Sequence, residues 1–342
     1  MKTPHGIAFD IGGTSFRAGV VTPQGRLLSP PLRRDTPNVW RHRGEPIRRV
    51  QERLVDMIVS TTRALQARHP RVPLRHIGIA MAGSITAQGV VRHSSGIWGH
   101  RGRRFPLLAR LRRRMPVRWR IVNDMTAAAA YYGSLPQHRR HRWIAVITVS
   151  SGIGSKVFDT QRGEVLLDPD GISGELGHVR MDRSPDALRC ECGVRGHVQG
   201  LCSGRAAERL ARQLARRQPR RFRHSRLWRM TEGQPQRITT FQLATASRAG
   251  DALALDVVQR VTAPLAHAIA VLVGTIGIER VIVIGGFALG VGQPYARALQ
   301  QHLLRIGCFG RTPAATRRLV QLGVRGDVQG LIGAGLLAQQ TI

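Results

Sequence analysis

Residues 10–19, DIGGTSFRAG, place an acid at the end of the apolar run GIAFD, then two glycines and a threonine, then a second apolar stretch. The pattern predicts strand, tight turn, strand. Gly12 and Gly13 let backbone N–H groups approach phosphate oxygens, and the Thr14 hydroxyl adds a donor. A carboxylate beside them, Asp10, can hold Mg²⁺, usually through water. One such turn alone is most often structural. Here it recurs. WIAVITVSSGIGSKVFD (residues 143–159) repeats strand, turn and strand with Ser151, Gly152 and Gly154 in the turn, and RVIVIGG (280–286) ends a further strand in Gly285 and Gly286.

Outward from these turns, LRHIGIAMAG (74–83) and WRIVND (119–124) predict two more buried strands, the second passing into a small-residue helix that stops at Gly133. Apolar spacing predicts helices over 46–68, 204–216 and 251–277, the last with Pro264 as a candidate kink, and a small-residue helix over GLIGAGLLAQQ (330–340). Residues 217–237, rich in proline and arginine, are expected to form a surface insertion. Strands alternating with helices predict an α/β protein, and two hairpin turns about 140 residues apart suggest two related lobes.

A chain of 342 residues has room for two domains, and four cysteines do not make a disulfide scaffold, so a cytoplasmic location is expected. The start lacks an apolar leader core, and no uninterrupted apolar run reaches the ~20 residues of a membrane span, so no membrane partner is expected. The formal net charge is +33, carried almost wholly by arginine, with lysine only at Lys2 and Lys156. Arginine is spread from Arg17 to Arg325, and its clusters are scarcely interleaved with aromatics. A nucleic-acid-reading face would concentrate the charge on one element, so no specific nucleic-acid partner is expected.

Three further motifs carry chemistry. Asn123 and Asp124 stand where a strand passes into a helix, suited to orienting and deprotonating a hydroxyl, or simply to capping that helix. Glu175 and His178 pair an acceptor with an imidazole, for sugar hydroxyls or a metal, or form an ordinary polar turn. CECGVRGHVQG (190–200) sets Cys190 and Cys192 one residue apart with His197 beyond them: a metal clip, a redox pair, or a loop containing thiols.

The order D-I-G-G-T, N-D before a small-residue helix, a second glycine turn, G-E-L-G-H, C-x-C-G-x-x-G and V-I-V-I-G-G resembles the ROK family of sugar kinases, from about residue 5 to the C-terminus and best over 120–205. The resemblance implies the α/β actin-like ATPase (ribonuclease H-like) fold, two lobes with ATP and sugar in a central cleft. Residues 1–122, completed by 326–342, would form the smaller lobe and 123–325 the larger. It casts Asp124 as the catalytic base, Asn123, Glu175 and His178 as sugar contacts, and Gln199 at a further sugar-contact position where the family has glutamate. Asp10, Gly12, Gly13 and Thr14 would face phosphate and Mg²⁺, as would Ser151, Gly152 and Gly154, with Gly285 and Gly286 beside the adenosine. The implied metal ligands are His178, Cys190 and Cys192, with His197 where the family has a third cysteine; Cys202 is the reserve. Zinc accepts imidazole and thiolate alike, so a structural His₂Cys₂ site is sound.

The chain departs from the family at Ala82, in a turn where proline is usual, and at SSGIWGHRG (94–102), where Ser94 and Ser95 replace a sugar-contact segment and Trp98–His100 would reshape the pocket wall. The expected activity is ATP-dependent phosphorylation of a primary hydroxyl on a hexose or hexose-like polyol. The acceptor would be glucose, an amino sugar such as kanosamine, or a C7-cyclitol, in a homodimeric enzyme. A ROK-type transcriptional regulator and a non-catalytic sugar sensor are the alternatives. The first is disfavoured because D-I-G-G-T begins at residue 10, and the second because Asp10 and Asp124 are both present.

Overall fold

The structure, a computed structural model, describes residues 5–73, 75–99, 104–190 and 192–340. The chain divides into two units: residues 1–138, 162–173 and 326–342 form the first, and 139–161 with 174–325 the second.

In the first unit β1 (Gly6–Ile11) and β2 (Ser15–Val21) make the predicted hairpin, β3 (Leu32–Asp35) extends it, and β4 (His76–Met81) runs parallel to β1. The small hairpin of β5 (Ser84–Ile85) and β6 (Val91–His93) follows, and β7 (Arg118–Asn123) pairs parallel with β4, giving the order β3-β2-β1-β4-β7. Central β1 is covered on both faces, which is why Ile7, Ala8 and Phe9 form an unbroken buried run rather than alternating with polar residues. The helix Ile47–Arg68 lays Val50, Leu54, Ile58 and Leu65 into this core, at the helical spacing seen in the sequence.

The helices Asp124–Ser134 and Gln329–Gln339 pack against each other and the sheet at backbone distance. A Cβ on Gly78 would lie 2.0 Å from the Ala334 carbonyl oxygen, and one on Gly333 would lie 1.8 Å from that of Ala127. This packing moves the expected boundary. The first unit extends to His138 rather than ending at residue 122, because the helix after β7 is bound to the sheet it leaves and to the C-terminal helix. Residues 162–173, which include β10 (Glu164–Val165), also join it, and Gln340 Nε2 donates to Gly163 O at 2.7 Å.

The second unit repeats the plan. β8 (Trp143–Val149) and β9 (Ile153–Asp159) form an antiparallel hairpin, and β11 (Arg280–Ile284) and β12 (Val320–Leu322) add in parallel, in the order β9-β8-β11-β12. The helix Ala252–Ile276 runs unbroken through Pro264 and buries Val257, Val261, Leu265 and Ile269. By length and composition it could cross a bilayer, a possibility missed by counting only uninterrupted apolar runs. It is a core helix, half buried in this unit. Residues 217–237 are not a loose insertion: they form short helices whose Phe222 and Leu227 enter the same core, with the Phe222 and Trp228 rings edge to face at 5.3 Å.

Gly78→Ala is expected to cost about 2 kcal/mol or more of stability, since its Cβ would collide first with the Ala334 backbone, which cannot swing aside. Gly274→Ala, whose Cβ would meet nothing within 4 Å in a helix interior, should leave the urea midpoint unchanged or slightly higher. Equal midpoints for the two variants would contradict the close packing of the C-terminal helix.

Candidate active site

In the first unit Asp10 is the penultimate residue of β1, and Gly12 N–H donates to Ser15 O at 2.9 Å to close the turn. Gly13 must be glycine because a Cβ would stand 2.6 Å from Gly96 O, where the 94–98 segment crosses the turn. Asn38, buried, holds the same turn by donating from Nδ2 to Gly13 O at 2.7 Å, while its Oδ1 accepts from Trp40 and Arg41 N–H. No motif marked it; an asparagine in a polar stretch carries no such signal. Thr14 is exposed.

Asp10 is gripped by a second residue that the motif reading passed over. Arg17 Nη1 lies 3.0 Å from Asp10 Oδ2, and Arg17 Nε lies 3.3 Å from Asp327 Oδ2. A guanidinium in an otherwise apolar strand was the available clue. Gly330, in the first turn of the helix Gln329–Gln339, has room for a Cβ only 3.3 Å from the Asp10 carboxyl, so the carboxylate rests against that helix N-terminus, whose dipole favours an anion. Burial nevertheless holds the Asp10 carboxyl above its ordinary value, opposed by Arg17 and reinforced by Asp327.

Asn123, not Asp124, is the helix cap: its Oδ1 accepts from Met125 N–H at 2.8 Å, and its Nδ2 donates to Gly83 O at 2.7 Å. With one amide hydrogen on Gly83 O and the other directed at the Asp124 carboxyl, one lone pair of Asn123 remains for a ligand. Asp124 is the first residue of the helix, with Oδ1 2.9 Å from Met125 N. Its carboxyl is pushed up to about 6, first by burial and then by the charge of Asp10, against the hydrogen bonds from Met125 and Asn123. A carboxylate poised near neutrality beside a second acid is a general base in the making.

The expected pocket wall is corrected. Ser94 is buried and its hydroxyl donates to Ala82 O at 2.6 Å, so it is committed to the backbone, while Ser95 is exposed. Trp98 is a core residue, 1% exposed and edge to face with Phe105 at 5.5 Å, because the short helix Ser95–Trp98 turns it inward. His100 lies outside the described residues.

In the second unit Ser150 N–H donates to Gly152 O at 2.9 Å in the turn after β8; Ser151 is exposed there, and Gly154 lies in β9. The Gly285–Gly286 turn docks on the end of β8: Gly285 has φ of +97°, and a Cβ there would meet Thr148 Oγ1 and Val149 O at 2.6 Å. The structure thus brings the two predicted glycine turns together. Gln199 touches the turn after β8 as well. Its Oε1 lies 3.3 Å from Ile153 N, accepting its hydrogen, and 3.0 Å from a Cβ built on Gly152, so this oxygen supports the turn. Glu175 is exposed, and among the described residues its carboxylate has no hydrogen-bond donor.

His178 Nδ1, Cys190 Sγ, Cys192 Sγ and His197 Nδ1 all lie within 4.8 Å of one another. The His178–His197 separation is 3.4 Å, Cys190–His178 3.9 Å and Cys192–His197 3.2 Å. Tetrahedral zinc would set nitrogen–nitrogen, nitrogen–sulfur and sulfur–sulfur edges of about 3.4, 3.6 and 3.8 Å. The donor set therefore fits. Burial, then His178 and Arg180, hold the His197 imidazole below its usual range, in the neutral form that a ligand requires. Cys202 is not in the set: the short helix Val198–Cys202 turns it fully into the apolar core, where burial pushes its thiol well up.

Residues 6–341 match the ROK family. The chain is 35% identical over 332 residues to a C(7)-cyclitol 7-kinase of Streptomyces hygroscopicus subsp. jinggangensis, covering 97% of this chain and 93% of that one. It is 30% identical over 285 residues to a glucokinase of Thermotoga maritima, covering 82% of each. A ROK family glucokinase from Streptomyces griseus, solved in complex with glucose and AMPPNP, has a TM-score of 0.72 at 27% identity, covering 98% of this chain and 100% of that one. The fold is that of the actin-like ATPases, and the chain, matched from its first strand to its last helix, belongs to the ROK family.

Proposed function

We propose that this protein is an ATP-dependent kinase that phosphorylates a primary hydroxyl of a hexose-like polyol, with a C7-cyclitol preferred to glucose. The observation that carries the chemistry is Asp124, a half-covered carboxyl pushed up to about 6 at the junction of β7 and its helix, beside Asp10. Phosphoryl transfer asks the protein for positioning, charge neutralisation and a base. Asn123 orients the acceptor hydroxyl, and Asp124 takes its proton as the oxygen attacks the γ-phosphorus of ATP, whose bond to the bridging oxygen breaks to release ADP. Glu175, with its unengaged carboxylate, and the Nε2 of His178 bind further hydroxyls. The backbone N–H groups of Gly12, Gly13, Gly152 and Gly154 and the hydroxyls of Thr14 and Ser151 bind phosphate oxygens. Gly285 and Gly286 let the nucleotide lie against bare backbone. Asp10 is the residue that would hold Mg²⁺, whose charge offsets that of the phosphates when bound.

The acceptor preference rests on two supports. The 35% identity to a C(7)-cyclitol 7-kinase spans nearly the whole chain. At position 199 this chain has an amide where glucose-type sites of the family have a carboxylate, and the Gln199 oxygen is engaged by Ile153 N–H, leaving chiefly the amide hydrogens for a ligand. A site that loses an acceptor discriminates against the hydroxyl it used to hold. All four cysteines are free thiols, in keeping with a cytoplasmic location.

Side-by-side assays of a C7-cyclitol, kanosamine and glucose should give the cyclitol the highest kcat/KM, at least about tenfold above glucose, and Asp124→Asn should lower kcat by at least ~10²-fold with binding largely kept. Glucose leading the series would contradict the acceptor assignment, and a near wild-type Asp124→Asn would contradict the base.

We also infer that His178, Cys190, Cys192 and His197 hold one zinc, fixing the loop that presents His178. Elemental analysis should find about one zinc per chain, and Cys192→Ser should lose both the metal and part of the thermal stability. A fully active, metal-free preparation would refute the site.

A further inference from the structure

The helix Ile47–Arg68 begins in an electrostatically unfavourable way. Its cap is Pro46, which supplies no side-chain hydrogen bond, and its first turn contains no acid but does contain Arg48 and Arg49. Helix N-termini favour anions, and cations there add to the positive end of the dipole. Glu45, the nearest preceding acid, is engaged by His42 at 3.0 Å and Arg53 at 3.1 Å.

This end of the helix forms one wall of a hollow of about 500 Å³, closed opposite by Arg104, Phe105 and Arg110. Among the described residues that line it the one acid is Glu52, which pairs with Arg110 at 3.2 Å. Arg48 and Arg104 line the hollow, are exposed, and have no ion pair among the described residues. The second, independent observation is Gln51. It is only 4% exposed, lines the same hollow, and makes no side-chain hydrogen bond among the described residues. With the side chain this buried, the unpartnered amide has the hollow itself as the place to meet a ligand.

We propose that this hollow is a binding site for a small organic phosphate, separate from the residues assigned to phosphoryl transfer. Three arginines against one glutamate leave two positive charges, matching a phosphate monoester dianion. Guanidinium forks and free helix N–H groups suit phosphate oxygens. Gln51 supplies one further hydrogen bond, and Ile47 and Phe105 pack against the body of the ester.

The test uses the full-length protein saturated with Mg²⁺ and AMPPNP, so that nucleotide positions are filled, at fixed ionic strength. Calorimetric titration with a hexose 6-phosphate should show one site. Its Kd should rise at least tenfold in Arg48→Ala/Arg104→Ala and at least threefold in Gln51→Leu, with AMPPNP affinity unchanged in both. Inorganic phosphate should bind the wild type more weakly than the ester. The proposal is overturned if no site is seen with AMPPNP present, or if the double variant binds as the wild type does. Equal affinity for inorganic phosphate would assign the hollow to the free ion and overturn the ester reading.

Discussion

The site depends on the seating of one carboxylate. Asp10 stands at the end of the central strand with Arg17 on one side and the N-terminus of the C-terminal helix on the other. That arrangement exists only because Gly78, Gly330 and Gly333 let the helix Gln329–Gln339 lie against sheet, acid and neighbouring helix without side chains between them. Asp10 in turn raises Asp124, adding its charge to the effect of burial. Packing of small residues beside Asp10 thus contributes, after burial, to raising the proposed base. Deleting Arg17 or adding a methyl at Gly330 would disturb the base without touching it.

The second unit uses the same supersecondary plan for a different end. Its hairpin turn carries no acid; it is braced by Gln199 and by the Gly285 turn. The metal-ligand set lies in the same stretch of chain as that brace. His197 caps the short helix that begins at Val198 and carries Gln199, so the fourth proposed ligand and the turn support are two residues apart.

Much of this was legible in the residues. Acid-plus-glycine turns need a particular backbone, so D-I-G-G-T, S-S-G-I-G and V-I-V-I-G-G announce strand ends directly. The four ligand candidates that the family resemblance implied converge within 4.8 Å. What the residues hid were relations across sequence. Arg17 reaches Asp327 near the other end of the chain, and Asn38 clamps Gly13 from a stretch with no pattern. Trp98 shows the opposite error. A large aromatic beside a substrate segment invites a contact role, yet its burial against Phe105 makes it core. The unit boundary was missed because the helix after β7 belongs by packing, not by order, to the sheet it leaves.

The most direct test of the account is the pH dependence of kcat/KM for the best acceptor. That quantity reports the ionisation of the free enzyme, here the coupled Asp10–Asp124 pair. Because Asp124 acts as a base, the account predicts an acid limb with its midpoint near pH 6, below which the rate falls about tenfold per pH unit. A profile that stays flat to about pH 4, the ordinary carboxylate range, would contradict it.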